Sequence, residues 1–328
     1  YWVRHNSDLT RMSDYIIPAP AASFCRRGAR EEQQDARHPD SDRPERGART
    51  FVVCDGVGGE KDGAVASQTV CKAFADFMGG YADPAYELTQ RTFRDAITFA
   101  YHRLLKAIRH SGGSDMATTL AFLHFNARNA LVAHMGDSRV YHIRPGVGIL
   151  YRTCDHSLVN VLVHSGNLTP AQAINHPKSN VITRCMSYVE PGGEPSAADM
   201  IMLTDIEAGD YFLLCTDGVT QLVDDRHITE LLDTDIPDEE KTARLAAMCD
   251  GSTDNNTAIL VRVADAPRLA SAVGETSPNE EIERVKPSIP QSATCRLYDA
   301  GPEVSRVIPD NALPLHRKVA GRLRDLLS

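Results

Sequence analysis

The chain is 328 residues long, and 35 Lys and Arg against 44 Asp and Glu give it a net charge of −9. A composition of 42% hydrophobic and 24% charged residues allows a sizeable core and excludes wholesale disorder. An acidic chain has no global electrostatic reason to bind nucleic acid or an anionic membrane, and no apolar run approaches the roughly 18 residues of a membrane helix, so neither is expected.

Residues 1–12 are polar, carry no periodic pattern and read as an N-terminal extension. A strand ending near Arg26 is expected ahead of Asp35. Arg37 to Arg49 is dense in charge and turn formers and reads as a surface loop between strands. Thr50–Cys54 is a β-rich run that stops at the glycine-rich turn Asp55-Gly-Val-Gly-Gly59. Apolar spacing from Val65 to Phe77 predicts a helix ending before Gly79-Gly80, and a second is expected from about Pro84 to His110.

Thr118–Phe125, Ala130–Met135 and Arg139–Ile143 are short β runs separated by tight turns, which predicts an antiparallel meander. Asp155 or Ser157 is placed to cap a short helix, and Thr169-Pro170 to begin another. Val181–Met186, Met200–Leu203, Tyr211–Cys215 and Ala258–Val263 complete the expected strands, with helices near Arg226–Leu232 and Glu239–Met248. Strands group with strands and helices with helices, which is α+β ordering and not strict βαβ alternation.

Composition shifts after Val263, and residues 266–328 hold seven of the chain's 18 prolines. The last segment places Leu315, Val319, Leu323, Leu326 and Leu327 on one helical face, with Arg317, Lys318, Arg322 and Arg324 between them. That pattern fits a terminal helix docked on the body, the start of a truncated element, or a basic amphipathic helix for a partner or membrane surface. The eight cysteines include no CxxC pair and read as reduced thiols of a cytoplasmic protein. The chain opens on Tyr1, so a preceding targeting segment stays open.

Acidic residues recur at strand ends. Asp55 ends a β run before Gly56, Asp137 follows Gly136, Asp217 precedes Gly218, and Asp254 stands before the last strand; Asp35 is a looser case. A lone carboxylate behind Phe-Val-Val-Cys or Phe-Leu-Leu-Cys is costly if buried unpaired. Several gathered at one sheet end repel unless cations sit between them. Hard oxygen ligands suit Mg²⁺ or Mn²⁺ better than zinc. For any one Asp an ordinary turn or helix cap is the better explanation; for five in similar contexts, spacing alone leaves the two readings level.

The ordered set is more specific. Arg30-Glu-Glu-Gln-Gln-Asp35, Phe51-Val-Val-Cys-Asp-Gly-Val-Gly-Gly59, Met116-Ala-Thr-Thr-Leu120 and His134-Met-Gly-Asp-Ser-Arg-Val-Tyr141 are followed by Asp155-His-Ser157, Asn180-Val-Ile-Thr-Arg184, Leu214-Cys-Thr-Asp-Gly218 and Asp254-Asn-Asn-Thr257. In this order the chain resembles the metal-dependent Ser/Thr protein phosphatases of type 2C, the PPM family, in its bacterial form. The resemblance covers about residues 13–265 and implies a catalytic domain there, followed by a proline-containing linker and short amphipathic helix over 266–328. It implies an αββα sandwich of two antiparallel sheets flanked by helix pairs. It also implies two Mn²⁺ or Mg²⁺ ions, with a weaker third.

By matching positions, Asp55 would bridge the two ions, Gly56 would give its carbonyl to one, and Asp217 and Asp254 would hold the other. Asp35 would orient water or lie in the outer shell, and Asp137 with Asp217 would offer the third site. Arg30 matches the arginine that grips substrate phosphate, a task for a guanidinium fork. The implied activity is a phosphoprotein phosphatase acting on phosphoserine and phosphothreonine proteins, as a monomer, in opposition to bacterial Ser/Thr kinases. Metal-activated water would attack phosphorus directly, without a phosphoenzyme. Cys215, two residues before Asp217, could share its face, but nothing adjacent in sequence lowers its pKa.

Departures are visible. Val57 stands where many eukaryotic members carry a histidine proposed as general acid, Gln33-Gln34 replaces the usual pair before Asp35, Ala117 replaces a common Gly, and Gln221 replaces a further third-metal Asp of some members. His134 and His156 are alternative proton donors, though each reads more readily as structural, as do Thr118 and Thr119. Residues 153–184 match the family's flap. The competing readings are a non-catalytic regulator of the same fold that binds a signalling partner, and a hydrolase of non-protein phosphate esters.

Overall fold

The computed structural model describes residues 14–41, 47–57, 62–111, 116–173, 176–189 and 193–267. Strands β1 (Ile17–Pro18), β2 (Ala22–Arg26), β3 (Asp35–His38) and β4 (Thr50–Val57) lead into helices α1 (Asp62–Met78) and α2 (Gln90–Ser111). The expected meander follows as β5 (Ala117–Thr118), β6 (Leu120–Phe125), β7 (Ala130–Met135), β8 (Arg139–Arg144) and β9 (Gly148–Arg152). Short helices α3 (Leu158–His164) and α4 (Pro170–Ala173) precede β10 (Met186–Ser187), β11 (Asp199–Leu203) and β12 (Tyr211–Cys215). Helices α5 (Asp217–Thr220), α6 (Asp225–Leu232) and α7 (Asp238–Met248) come before the last strand, β13 (Asn256–Asp265).

Among the described residues the strands form two antiparallel sheets. One runs β1-β13-β12-β8-β9 with β2 also on β13; the other runs β10-β5-β4-β6-β7-β11 with β3 also on β4. Strand alternation explains the layering. In β4, Phe51 and Val53 face the core between the sheets, whereas Val52 and Cys54 face α1 and α2. In β12, Phe212 and Leu214 face the inter-sheet core, and Tyr211, Leu213 and Cys215 face α6 and α7. Three buried layers therefore separate four slabs, helix–sheet–sheet–helix, which is the αββα sandwich expected.

The helices are held by the stripes their sequences predict. Phe93, Ala96, Ala100, Leu104 and Ile108 of α2 recur at helical spacing and are buried. Phe93 packs on Phe122 of β6 at a ring distance of 4.7 Å. Burying one such side chain contributes about 1.5–3 kcal/mol. α2 begins at Gln90 rather than Pro84 because Thr89 and Thr92 cap its N terminus by exchanging backbone-to-hydroxyl bonds of 2.8 and 3.2 Å.

Other expectations shift. Arg37 and His38 belong to β3, and Arg49 is buried, so the loop is shorter than Arg37 to Arg49. Arg49 donates to the carbonyls of Phe125, Ile16 and Asn126 at 2.8, 3.0 and 2.7 Å and ties β1 to the β6–β7 turn. Val181–Met186 is no continuous strand. Ile182 makes one bridge to Ser157, Arg184 turns aside to Asp199, and only Met186–Ser187 pairs with β5. Residues 1–12 and the amphipathic pattern at the C-terminal end lie outside the described residues.

Candidate metal and phosphate site

The sandwich brings the strand-end carboxylates to one pole. β3 and β4 pair so that Asp35 and Asp55 are direct cross-strand partners. The Asp55 backbone is fixed by β5 and the residue after it. Thr118 Oγ1 and Thr119 N donate to the Asp55 carbonyl at 2.9 Å each, and Asp55 N donates to Thr119 Oγ1 at 2.9 Å. Thr118 and Thr119 thus position the strand end, as expected. Asp217 opens α5 directly behind β12, and Asp254 lies just ahead of β13, the strand that pairs with β12. Asp137 leaves the turn after β7.

Glycines permit the approach. A Cβ on Gly218 would stand 2.0 Å from the Asn255 carbonyl oxygen, and one on Gly28 would stand 2.1 Å from that of Asp254. Asn255 staples the loop that carries Arg30. Its Nδ2 donates to the carbonyls of Arg27 at 2.7 Å and Glu32 at 3.0 Å, and its Oδ1 accepts from Gln34 N at 2.8 Å.

Together these residues floor an open cleft of about 940 Å³, with Asp55, Gly56, Asp137, Asp217, Asp254 and Arg30 all on its lining. Asp35 sits beneath, 4% exposed, with Oδ2 accepting from Thr216 Oγ1 at 3.0 Å. The residues expected at the site are therefore brought together. Asn255 and the Arg139–Asp155 pair that lines the same cleft are additions. Asn255 carries no signal beyond its place beside Asp254; Arg139 and Asp155 stand inside the runs His134–Tyr141 and Asp155–Ser157, whose spacing assigns neither of them a role.

The electrostatics describe a site built for cations. Burial, with the charges of Asp217 and Asp254, pushes Asp35 up to about 7. Burial, Asp217 and Asp155 do the same to Asp137, also to about 7. Asp55 is driven well above the carboxylate range by burial and by Asp35, Asp217, Asp137 and Asp254, and Asp217 is raised by burial and Asp254. Among the described residues, Asp35 Oδ1 and Asp217 Oδ1 are buried without a hydrogen-bond donor. Buried carboxylate oxygens with no donor, crowded by like charge, fit divalent cations held by oxygen. The donor set at this pole contains carboxylates and carbonyls and suits Mg²⁺ or Mn²⁺.

A family model described as protein phosphatase 2C matches residues 26–248. The chain belongs to the protein phosphatase 2C family. This 2C-type phosphatase is 34% identical to the protein phosphatase PhpP of Streptococcus pneumoniae over 225 residues, which cover 66% of this chain and 87% of that one. It is 33% identical to the serine/threonine protein phosphatase PstP of Mycobacterium tuberculosis over 261 residues, 76% of this chain and 48% of that one. The crystal structure of the Mycobacterium tuberculosis phosphatase PstP/Ppp superposes with a TM-score of 0.63 at 29% identity, covering 75% of this chain and 99% of that one. A PstP catalytic domain in complex with two manganese ions superposes at 0.59, with 29% identity and 75% and 98% coverage.

The departures of this 2C-type phosphatase acquire a geometry. Gln221 Nε2 donates to Asp217 Oδ2 at 2.8 Å, so the amide orients the carboxylate. His134 and His156 stack at 4.5 Å and neither lines the cleft, in keeping with structural roles. Cys215 does not share the face of Asp217. It points into the α6–α7 core, where burial raises its thiol far above the ordinary range. Among the described residues no helix is long and apolar enough to cross a membrane.

Proposed function

We propose that this phosphatase hydrolyses phosphoserine and phosphothreonine in protein substrates, with two Mn²⁺ or Mg²⁺ ions held at the carboxylate pole, in opposition to bacterial Ser/Thr kinases. The observation that carries the reading is the convergence of Asp55, Asp217 and Asp254 on one cleft floor beside Arg30. Residues 13–265 act as the catalytic domain, as a monomer, with 1–12 and 266–328 as appendages.

Asp55, the Gly56 carbonyl, Asp217 and Asp254 would hold the two ions, with Asp55 the residue that would serve both. Asp35, below the floor, orients from the outer shell. Asp137 with Asp217 would offer a weaker third position, where Gln221 would supply an amide instead of a further charge. When bound, such ions lower the pKa of water and offset charge on a phosphoryl group. The chain's own contribution is to hold the phosphate and set its direction. Arg30 rides on the loop stapled by Asn255 and presents a planar fork suited to two phosphate oxygens. Neither Cys54 nor Cys215 serves as nucleophile, because both are buried and face the helix layers.

The test is phosphate release from a phosphothreonine peptide with Mn²⁺, Mg²⁺ or EDTA, run on the wild type and Asp217→Ala. Metal-dependent release that EDTA and the substitution both abolish is expected. No release by wild-type protein shown calorimetrically to bind Mn²⁺ would overturn the reading.

A further inference from the structure

One wall of the cleft is formed by α3, α4 and residues 176–180, through Asn160, Pro170, His176 and Asn180. The wall leaves and rejoins the sandwich through two feet, Asp155 to Leu158 and Val181 to Arg184. The feet are paired to each other. Leu158 N donates to the Val181 carbonyl at 2.8 Å, Thr183 N donates to the His156 carbonyl at 2.7 Å, and Ser157 bridges Ile182. The first foot is also tied to β8 and the turn before it: Arg139 donates to both carboxylate oxygens of Asp155 at 2.7 Å each, and His156 N donates to the Gly136 carbonyl at 2.9 Å.

The edge of the seven-stranded sheet reaches both feet. His134 of β7 and Asp199 of the edge strand β11 are cross-strand partners. His134 stacks on the ring of His156 at 4.5 Å, and its Nε2 meets the Cys154 carbonyl at 2.7 Å. Asp199 reaches both feet. Its Oδ2 lies 3.0 Å from His156 Nε2 on the first foot, and its Oδ1 accepts from Arg184 Nη1 on the second at 2.7 Å. The tautomer is set by the other ring nitrogen. Gly136 N donates to His156 Nδ1 at 3.1 Å, so the neutral ring carries its proton on Nε2 and donates it to Asp199.

The donor atoms of His134, His156 and Asp199 lie within 4.8 Å of one another, which is also the geometry of a metal site. Here the second charge is already present as Arg184, whose Nη1 lies 3.3 Å from His156 Nε2, and the lone pair of His156 faces Gly136. Burial works against the Asp199 charge, but the bonds from His156 and Arg184 outweigh it and hold the carboxyl far below the usual range.

We infer that Asp199 is a positioning residue that fastens both feet of the cleft wall to the edge of the seven-stranded sheet and so sets the wall's place beside a bound phosphopeptide. The inference rests on the reading of the cleft as a phosphoprotein site. A phosphopeptide is long enough to touch the wall, whereas a small aryl phosphate needs only the floor.

The test compares wild type, Asp199→Ala, Asp199→Asn and Asp199→Glu, with Asp205→Ala as an exposed control. Amide hydrogen exchange at Leu158 and Thr183 should quicken about tenfold or more in Asp199→Ala. KM for a phosphothreonine peptide should rise about fivefold, with kcat and p-nitrophenyl phosphate kcat/KM held within about twofold. Asp199→Glu should recover most of both effects, because it keeps an acceptor for each foot. Unchanged exchange at the two amides, or equal losses on peptide and small substrate, would overturn the inference. Should Asp199→Ala not fold, Asp199→Asn carries the same comparison. Should wild type release no phosphate from peptides, the exchange result still decides whether Asp199 fastens the wall, and the failure falls on the functional reading alone.

Discussion

Arg30 and Asp254 form a two-pronged pair, Nε to Oδ1 at 2.8 Å and Nη2 to Oδ2 at 2.8 Å. The group read as the phosphate grip thus shares its carboxylate with a proposed metal position, and the two roles compete for the same oxygens. Arg30→Ala should therefore act in opposite directions on two measurements. KM for a phosphothreonine peptide should rise about tenfold or more, since a charge-assisted fork to phosphate is lost. The calorimetric Kd for Mn²⁺ should tighten, because Asp254 is released to the ion. Arg30→Lys should recover little of the KM, as an ammonium cannot make the fork.

The carboxylate pole predicts a pH effect of definite sign. Asp35 and Asp137 rise from 3.8 to about 7 on folding, and Asp55 and Asp217 shift the same way. A raised folded-state pKa means that the folded chain holds the proton more tightly, so this stabilisation is complete below about 4 and is lost as pH rises through about 7. His124 and His134, lowered by burial to about 3 and about 4, act in the opposite sense and lose stabilisation as pH falls below 6.5. They are common to chelated and metal-loaded protein, so the difference between the two isolates the carboxylates. The rise in Tm on adding Mn²⁺ to EDTA-treated protein should be larger at pH 8 than at pH 5. Scanning fluorimetry at both pH values reads it directly.

Gly218→Ala should damage the site more than its size implies. Its Cβ would stand 2.0 Å from the Asn255 carbonyl oxygen, so the segments bearing Asp217 and Asp254 must separate. Loss of about 100-fold or more in phosphate release is expected, since ligand spacing tolerates displacements well under an ångström. Titration with Mn²⁺ should show the same loss of affinity without turnover.

Phe122→Ala tests the layering. Phe122 is fully buried and contacts the rings of Phe74 and Phe93 at 5.3 and 4.7 Å, so its loss opens a void between β6 and both helices. A destabilisation of about 3–5 kcal/mol is expected by urea unfolding.

Much of the site was legible because its chemistry leaves few alternatives. A carboxylate directly behind Phe-Val-Val-Cys or Phe-Leu-Leu-Cys must be partnered by something, and glycine beside it marks close backbone approach; Asp55 and Asp217 announced themselves on those grounds. The stripe of α2 and the apolar runs of β6, β7 and β12 were equally plain. Asn255 and Asp199 were not. Asn255 acts on Gln34, which is 221 residues away, and Asp199 on His156 and Arg184, 43 and 15 residues away, so neither leaves a local period or spacing. β3 escaped for a related reason. Asp-Ala-Arg-His has no apolar alternation and is a strand only because β4 offers it an edge. The precise shape of the wall over 157–173 depends on those same distant fastenings.

The pairing of Ile17 with Asp265 has a consequence for how this domain can be built into larger proteins. β13 starts at Asn256 beside the carboxylates and runs away from them for ten residues, so at about 3.3 Å per residue its far end lies about 30 Å from the reacting pole. The first described strand meets it there. The first and last described strands are therefore neighbours at the back of the sandwich, and modules tethered beyond either would hang from one attachment point behind the cleft. That arrangement would suit transplantation, tandem fusion or circular permutation, since a tether placed there need not cross the cleft.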